Sequence, residues 1–121
     1  MEYNTDLGQF DIKLIRGVNE TIRYWDFKKL DDTGKTVPWD LTGKTVRIHF
    51  KSDINNEEPD LEKTVANGGI VIDENSLDLK FGSETLNLKK DVYLYDLLVI
   101  ENADRYTLVQ GKLILTGVIT K

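Results

Sequence analysis

The chain has no cysteine, two prolines, two alanines and one histidine in 121 residues, and each scarcity removes a class of explanation. Without thiols there is no disulfide, no thiolate nucleophile and no cysteine-ligated zinc. A single histidine would leave zinc dependent on carboxylates, an unusual donor set. Positive charge is also in short supply. Sixteen Lys and Arg stand against 21 Asp and Glu, for a formal net charge of -5. A nucleic-acid surface needs clustered cations in excess, so no nucleic-acid partner is expected. No apolar run approaches the roughly 20 residues of a spanning helix, so membrane insertion is not expected either. The start, Met1-Glu2-Tyr3-Asn4-Thr5-Asp6, lacks the basic opening and apolar stretch of a signal peptide. The expectation is a chain that acts where it is made or inside an assembly.

The scarcity of alanine is matched by an abundance of Ile, Val and Thr, with 10, 9 and 11 copies. These β-branched residues favour pleated, half-buried surfaces over helices. Phe10 to Arg16 alternates, with Phe10, Ile12 and Leu14 on one face, and stops at Gly17. Glu20 to Leu30 carries Ile22, Tyr24, Trp25 and Phe27; its alternation breaks at Tyr24-Trp25, which fits a bulge or a strand buried on both faces. Thr45 to Lys51 alternates cleanly, with Val46, Ile48 and Phe50 facing inward. Further strands are expected at Leu61 to Val65, Ile70 to Ile72, Leu77 to Phe81, Asp91 to Glu101 and Tyr106 to Thr120. Turn chemistry separates them at Asp31-Asp32-Thr33-Gly34, Asn67-Gly68-Gly69 and Asn102-Ala103-Asp104. Ser83 to Lys90 is long enough for one helical turn only. The pattern predicts an all-β fold, an antiparallel immunoglobulin-like β-sandwich of about seven to nine short strands. Residues 1–9 read as an N-terminal arm and residues 10–121 as a single domain.

No residue pattern points to catalysis. His49 shares the outward face of its strand with Arg47 and Lys51, where a surface role is the simpler reading. Two acidic clusters, Asp53 with Glu57, Glu58, Asp60 and Glu62, and Asp73 with Glu74, Asn75 and Asp78, could supply oxygen ligands. Neither follows the twelve-residue calcium-loop pattern, and both read as solvated loops. The glycines form no phosphate cradle. No catalytic residue, metal ligand or cofactor is assigned. Trp25 and Tyr95 lie in apolar strands and read as core, which leaves Trp39 as the loop tryptophan. Trp39 is therefore the candidate for stacking on a sugar ring, in the alternative reading of a carbohydrate-binding module.

A more informative feature lies in Tyr93 to Ile100. If Tyr93, Tyr95, Leu97 and Val99 face the core, Asp96, Leu98 and Ile100 face out. Leu113 and Leu115 inward would likewise send Ile114 out. Were these segments neighbours, Leu98, Ile100 and Ile114 would form an exposed apolar patch suited to association, unless another element of the domain covers it.

Taken in order, Ile15-Arg16-Gly17, Asp40-Leu41-Thr42-Gly43-Lys44-Thr45-Val46-Arg47, Gly69-Ile70-Val71-Ile72, Leu77-Asp78-Leu79 and Tyr93-Leu94-Tyr95-Asp96-Leu97 carry a family likeness. The chain resembles the small β-sandwich proteins of phage tail and baseplate gene clusters, typified by the N-terminal domain of upper baseplate proteins in phages of Gram-positive bacteria. The resemblance runs from Phe10 to Thr120. It implies a non-enzymatic virion component made in the bacterial host cytoplasm, which associates with other virion proteins or with itself. A tail accessory protein and a head decoration protein are both compatible with it.

Overall fold

The computed structural model describes residues 8–117. Ten strands lie within them: β1 (Ile12–Ile15), β2 (Glu20–Tyr24), β3 (Lys28–Leu30), β4 (Thr36–Pro38), β5 (Thr45–Lys51), β6 (Leu61–Thr64), β7 (Ile70–Asp73), β8 (Ser76–Phe81), β9 (Val92–Glu101) and β10 (Asp104–Thr116). A 3-10 turn, Ser83–Asn87, joins β8 towards β9. The strands form a five-stranded sheet in the order β1-β10-β9-β5-β6, a three-stranded sheet β2-β8-β7, and the hairpin β3-β4. Every pairing is antiparallel except that of β1 with β10. The fold is therefore all-β and dominated by antiparallel sheets.

Alternation decides which residues the two larger sheets bury. On β5, Val46, Ile48 and Phe50 are buried; on β9, Tyr93, Tyr95, Leu97 and Val99; on β8, Leu77, Leu79 and Phe81. Each large apolar side chain so buried contributes roughly 1.5–3 kcal/mol by leaving water. The inner faces meet: the rings of Phe50 and Phe81 cross edge to face at 5.7 Å, and the hydroxyls of Tyr24 and Tyr95 are 3.0 Å apart. The two sheets thus share one core. Tyr95 donates its hydroxyl proton to the carbonyl of Phe10. Burial is the largest influence on both phenols: it raises Tyr24 above its ordinary value and pushes Tyr95 up to about 12.

Local chemistry sets the connections. Asp40 accepts the Thr42 N–H at 2.9 Å and Gly43 takes a positive φ of 76°, which together make the turn before β5. The Asp40 carboxyl is held below its usual range chiefly by its hydrogen bond with Thr42. In the β9-β10 hairpin, Asn102 and Ala103 both adopt positive φ, the twist that suits a tight antiparallel turn.

Arg16 closes the opposite end of the five-stranded sheet. Its buried guanidinium donates to the carbonyls of Leu88 (3.1 Å), Gly117 (3.1 Å) and Lys90 (2.6 Å) and meets Asp91 at 3.0 Å. One side chain thereby ties the end of β1 to the approach to β9 and the exit of β10. Nearby, Tyr93 accepts the Lys90 N–H on its hydroxyl at 2.9 Å.

Several sequence expectations change. The segment Glu20 to Leu30 is two strands, divided where Asp26 takes a φ of 65°. That left-handed residue lets Tyr24 and Phe27 both point into the core while Trp25 points out. The first strand begins at Ile12, and Phe10, expected inward, is partly exposed with its ring edge-on to Tyr24. Strand number exceeds seven to nine because the small β3-β4 hairpin intervenes. Of the expected arm, Gly8 and Gln9 pair with Gln110; residues 1–7, like Val118 to Lys121, lie outside the described residues.

Candidate functional site

The outward row of β9 is the centre of the site. Its pleat sends Val92, Leu94, Asp96, Leu98 and Ile100 away from the core. Four of these five are apolar, and β9 is the middle strand of the sheet. Val92 and Leu94 are exposed, and Leu98 and Ile100 are half-buried.

Register supplies the flanks. On one side β5 sets Lys51 beside Leu94, His49 beside Asp96, Arg47 beside Leu98 and Thr45 beside Ile100. On the other, β10 sets Ile114 beside Val92, Lys112 beside Leu94, Gln110 beside Asp96, Thr107 beside Leu98 and Arg105 beside Ile100. An apolar row is thus edged by cations on both sides. Lys13 of β1 extends the same face beyond Ile114. Long cationic stems of this kind lie over apolar surface while their charged heads stay in water. A bulge falls here too: β10 gains one residue between Thr107 and Val109, so that Leu108 and Val109 are both buried.

The face is electrically unlike the rest of the chain. It carries Lys13, Arg47, Lys51, Arg105 and Lys112 against Asp11, Asp96 and Glu62, in a chain whose net charge is -5. Two of the three carboxylates are engaged. Asp11 accepts the Lys112 backbone N–H at 3.0 Å, and Glu62 meets His49 Nε2 at 2.6 Å. None of the five cations has a carboxylate within ion-pair distance among the described residues. Around Leu94 the face is concave, a shallow groove of about 560 Å³ bordered by Lys51, Asp96, Gln110 and Lys112. Ile54, 73% exposed, stands at its rim. Such a surface offers apolar contact with cationic and amide hydrogen bonds around it, which is the chemistry of protein recognition.

The three apolar residues singled out from the sequence do all face outward, but only Leu98 and Ile100 are neighbours, and Ile114 stands apart from them. Antiparallel register puts Ile114 opposite Val92, six residues along β9 from Leu98, which is about 20 Å. The connected feature is the row along β9, and Val92 and Leu94 are the members that the sequence reading left out. The period-2 signal for them was present, since stepping back from Leu98 through Asp96 reaches both.

The two tryptophans exchange their expected roles. Trp39 is fully buried; its indole N–H donates to Glu101 at 3.0 Å, and its ring meets Tyr106 edge to face at 5.4 Å. A ring enclosed in this way has no face left for a sugar. Trp25, expected in the core, is 64% exposed because the left-handed Asp26 turns it outward. Among the described residues, no group of three or more His, Cys, Asp and Glu side chains is arranged to hold a metal ion, and no helix is long and apolar enough to cross a membrane. No protein-family model and no curated protein matches the chain.

Proposed function

We propose that this chain is a non-enzymatic structural module of a phage virion, a tail or baseplate component that acts by protein-protein assembly through the outer face of its five-stranded sheet. The observation that carries the reading is the β9 row: apolar residues at the centre of a sheet, half of them openly exposed, edged by cations that have no ion-pair partner among the described residues. A solvated sheet face normally alternates with polar residues, and an apolar centre with a polar rim is the anatomy of an interface.

The same reading takes the fold as immunoglobulin-like. Its support is the sheet order β1-β10-β9-β5-β6 over β2-β8-β7, with a first strand that runs parallel to the last. The Tyr93 hydroxyl bound to the backbone just before its strand is the corner device of such sandwiches. The motifs Asp40 to Arg47 and Tyr93 to Leu97, in which the chain resembles virion proteins, support the reading.

The test is incorporation into particles. In a phage that encodes the chain, it should co-purify with particles at a fixed copy number, measured by quantitative mass spectrometry, and Leu98→Asp should abolish incorporation while leaving the fold intact by circular dichroism. Particles free of the chain would refute the reading.

A further inference from the structure

We infer that the partner on this face is a second copy of the chain, held in a two-fold dimer in which the acidic β5-β6 loop of each copy lies over Arg47 and Arg105 of the other. This rests on the assembly reading above and names its partner.

The loop runs from Ser52 to Asp60 and contains Asp53, Glu57, Glu58 and Asp60. It has a defined shape: Asp60 accepts the Ser52 N–H at 2.7 Å, Asp53 accepts the Asn55 N–H at 2.9 Å, and Asn56 donates to the Asp53 carbonyl at 3.0 Å. Glu57 and Glu58 are exposed and enter no hydrogen bond or ion pair among the described residues. The loop therefore offers negative charge, together with the exposed Ile54, on a preformed support. The sheet face offers the opposite: five cations around an apolar row, none with an ion-pair partner among the described residues.

Geometry and charge select one arrangement. The loop follows Lys51, so it leaves the face at the end where Leu94 lies. Arg47 and Arg105 belong to the other end, beside Leu98 and Ile100. Two copies stacked face to face about a two-fold axis along the strands would bring both acidic loops to the same end, where like charges repel. An axis across the strands carries each loop to the arginine end of its partner, satisfies both contacts at once and closes the assembly at two copies. The size fits as well. Strands of 4, 13, 10, 7 and 4 residues, about 4.8 Å apart and rising about 3.3 Å per residue, give a face of about 600 Å², one partner's share at the lower end of the stable interface range.

The experiment uses two full-length variants, R47E/R105E and E57K/E58K, each checked for folding by circular dichroism and thermal unfolding. In sedimentation velocity across a concentration series the unmodified chain should dimerise. Each variant alone should dissociate at least about tenfold more readily, since it opposes like charges twice. Mixed in equal amounts, the two should form a heterodimer, because the loop of each then meets a face of opposite sign. A chain that stays monomeric at every concentration overturns the inference, as does a dimer that neither variant weakens or variants that fail to complement. These outcomes leave the assembly reading standing, because particle incorporation scores partners of any kind.

Discussion

Replacing Arg16 with lysine keeps the charge and removes the fork, and the structure predicts that this costs more than removing the charge of its partner. The guanidinium serves three carbonyls from two separate segments, Leu88 and Lys90 before β9 and Gly117 after β10, and its side chain is 3% exposed. Asp91, the acidic partner, is 80% exposed. A lysine ammonium is a point donor on a flexible stem and reaches about one of the three acceptors. Two carbonyls then lose hydrogen bonds from a charged donor, each worth about 1.5–3 kcal/mol. Recovery by water at the open side of the site reduces the total, so about 3 kcal/mol is expected for Arg16→Lys. For a domain of this size that is a fall in Tm of about 12 °C. Asp91→Asn should cost less than about 1 kcal/mol, because an exposed carboxylate is well solvated without its partner. Urea unfolding with linear extrapolation measures both, and an unchanged slope would confirm that the effect is on stability. Arg16→Lys within about 0.5 kcal/mol of the unmodified chain, or Asp91→Asn as costly as Arg16→Lys, would refute the assignment of the staple to the carbonyls.

One further prediction concerns the packing of the first segment. A Cβ at Gly111 would stand 2.2 Å from the carbonyl oxygen of Phe10, so Gly111→Ala should push residues 8–11 off β10 and cost about 3 kcal/mol through lost backbone hydrogen bonds. Gly34→Ala, which has open space but a φ of 82°, should cost only about 1 kcal/mol; equal losses in urea unfolding would discount the close approach. The buried phenols set an alkaline limit. Tyr24 and Tyr95 ionise in the unfolded chain near pH 10 but are raised in the folded one, Tyr95 to about 12. Their stabilising share is complete below pH 10 and is lost as pH rises through the folded values, because the unfolded state then binds fewer protons. The urea midpoint should fall between about pH 10 and pH 12, and Tyr24→Phe should flatten that fall; a midpoint independent of pH would contradict it.

The amino-acid pattern alone determined the faces of residues that lie within a regular strand; Phe10, which precedes β1, shows that alternation outside one does not. Val46, Ile48 and Phe50 on β5 and Tyr93, Tyr95, Leu97 and Val99 on β9 point inward as their spacing requires, because a side chain's side of a pleated strand is a local property. Turn residues likewise act locally, Asp40 through its carboxylate on the Thr42 N–H and Gly43 and Asn102 through their own positive φ. What the alternation could not supply was register, since pairing depends on where a distant strand comes to rest. That is why Ile114 lies beside Val92 instead of joining Leu98, and why Arg47 and Arg105, 58 positions apart in the chain, edge the same apolar row. The tryptophans make the same point at a single residue. Trp25 has strand-like neighbours and Trp39 loop-like ones, yet the left-handed turn at Asp26 exposes the first. The Glu101 carboxylate and the Tyr106 ring, more than sixty residues onward, enclose the second. Burial of a large aromatic is decided by what the rest of the chain brings to it, and that exists only in the tertiary structure.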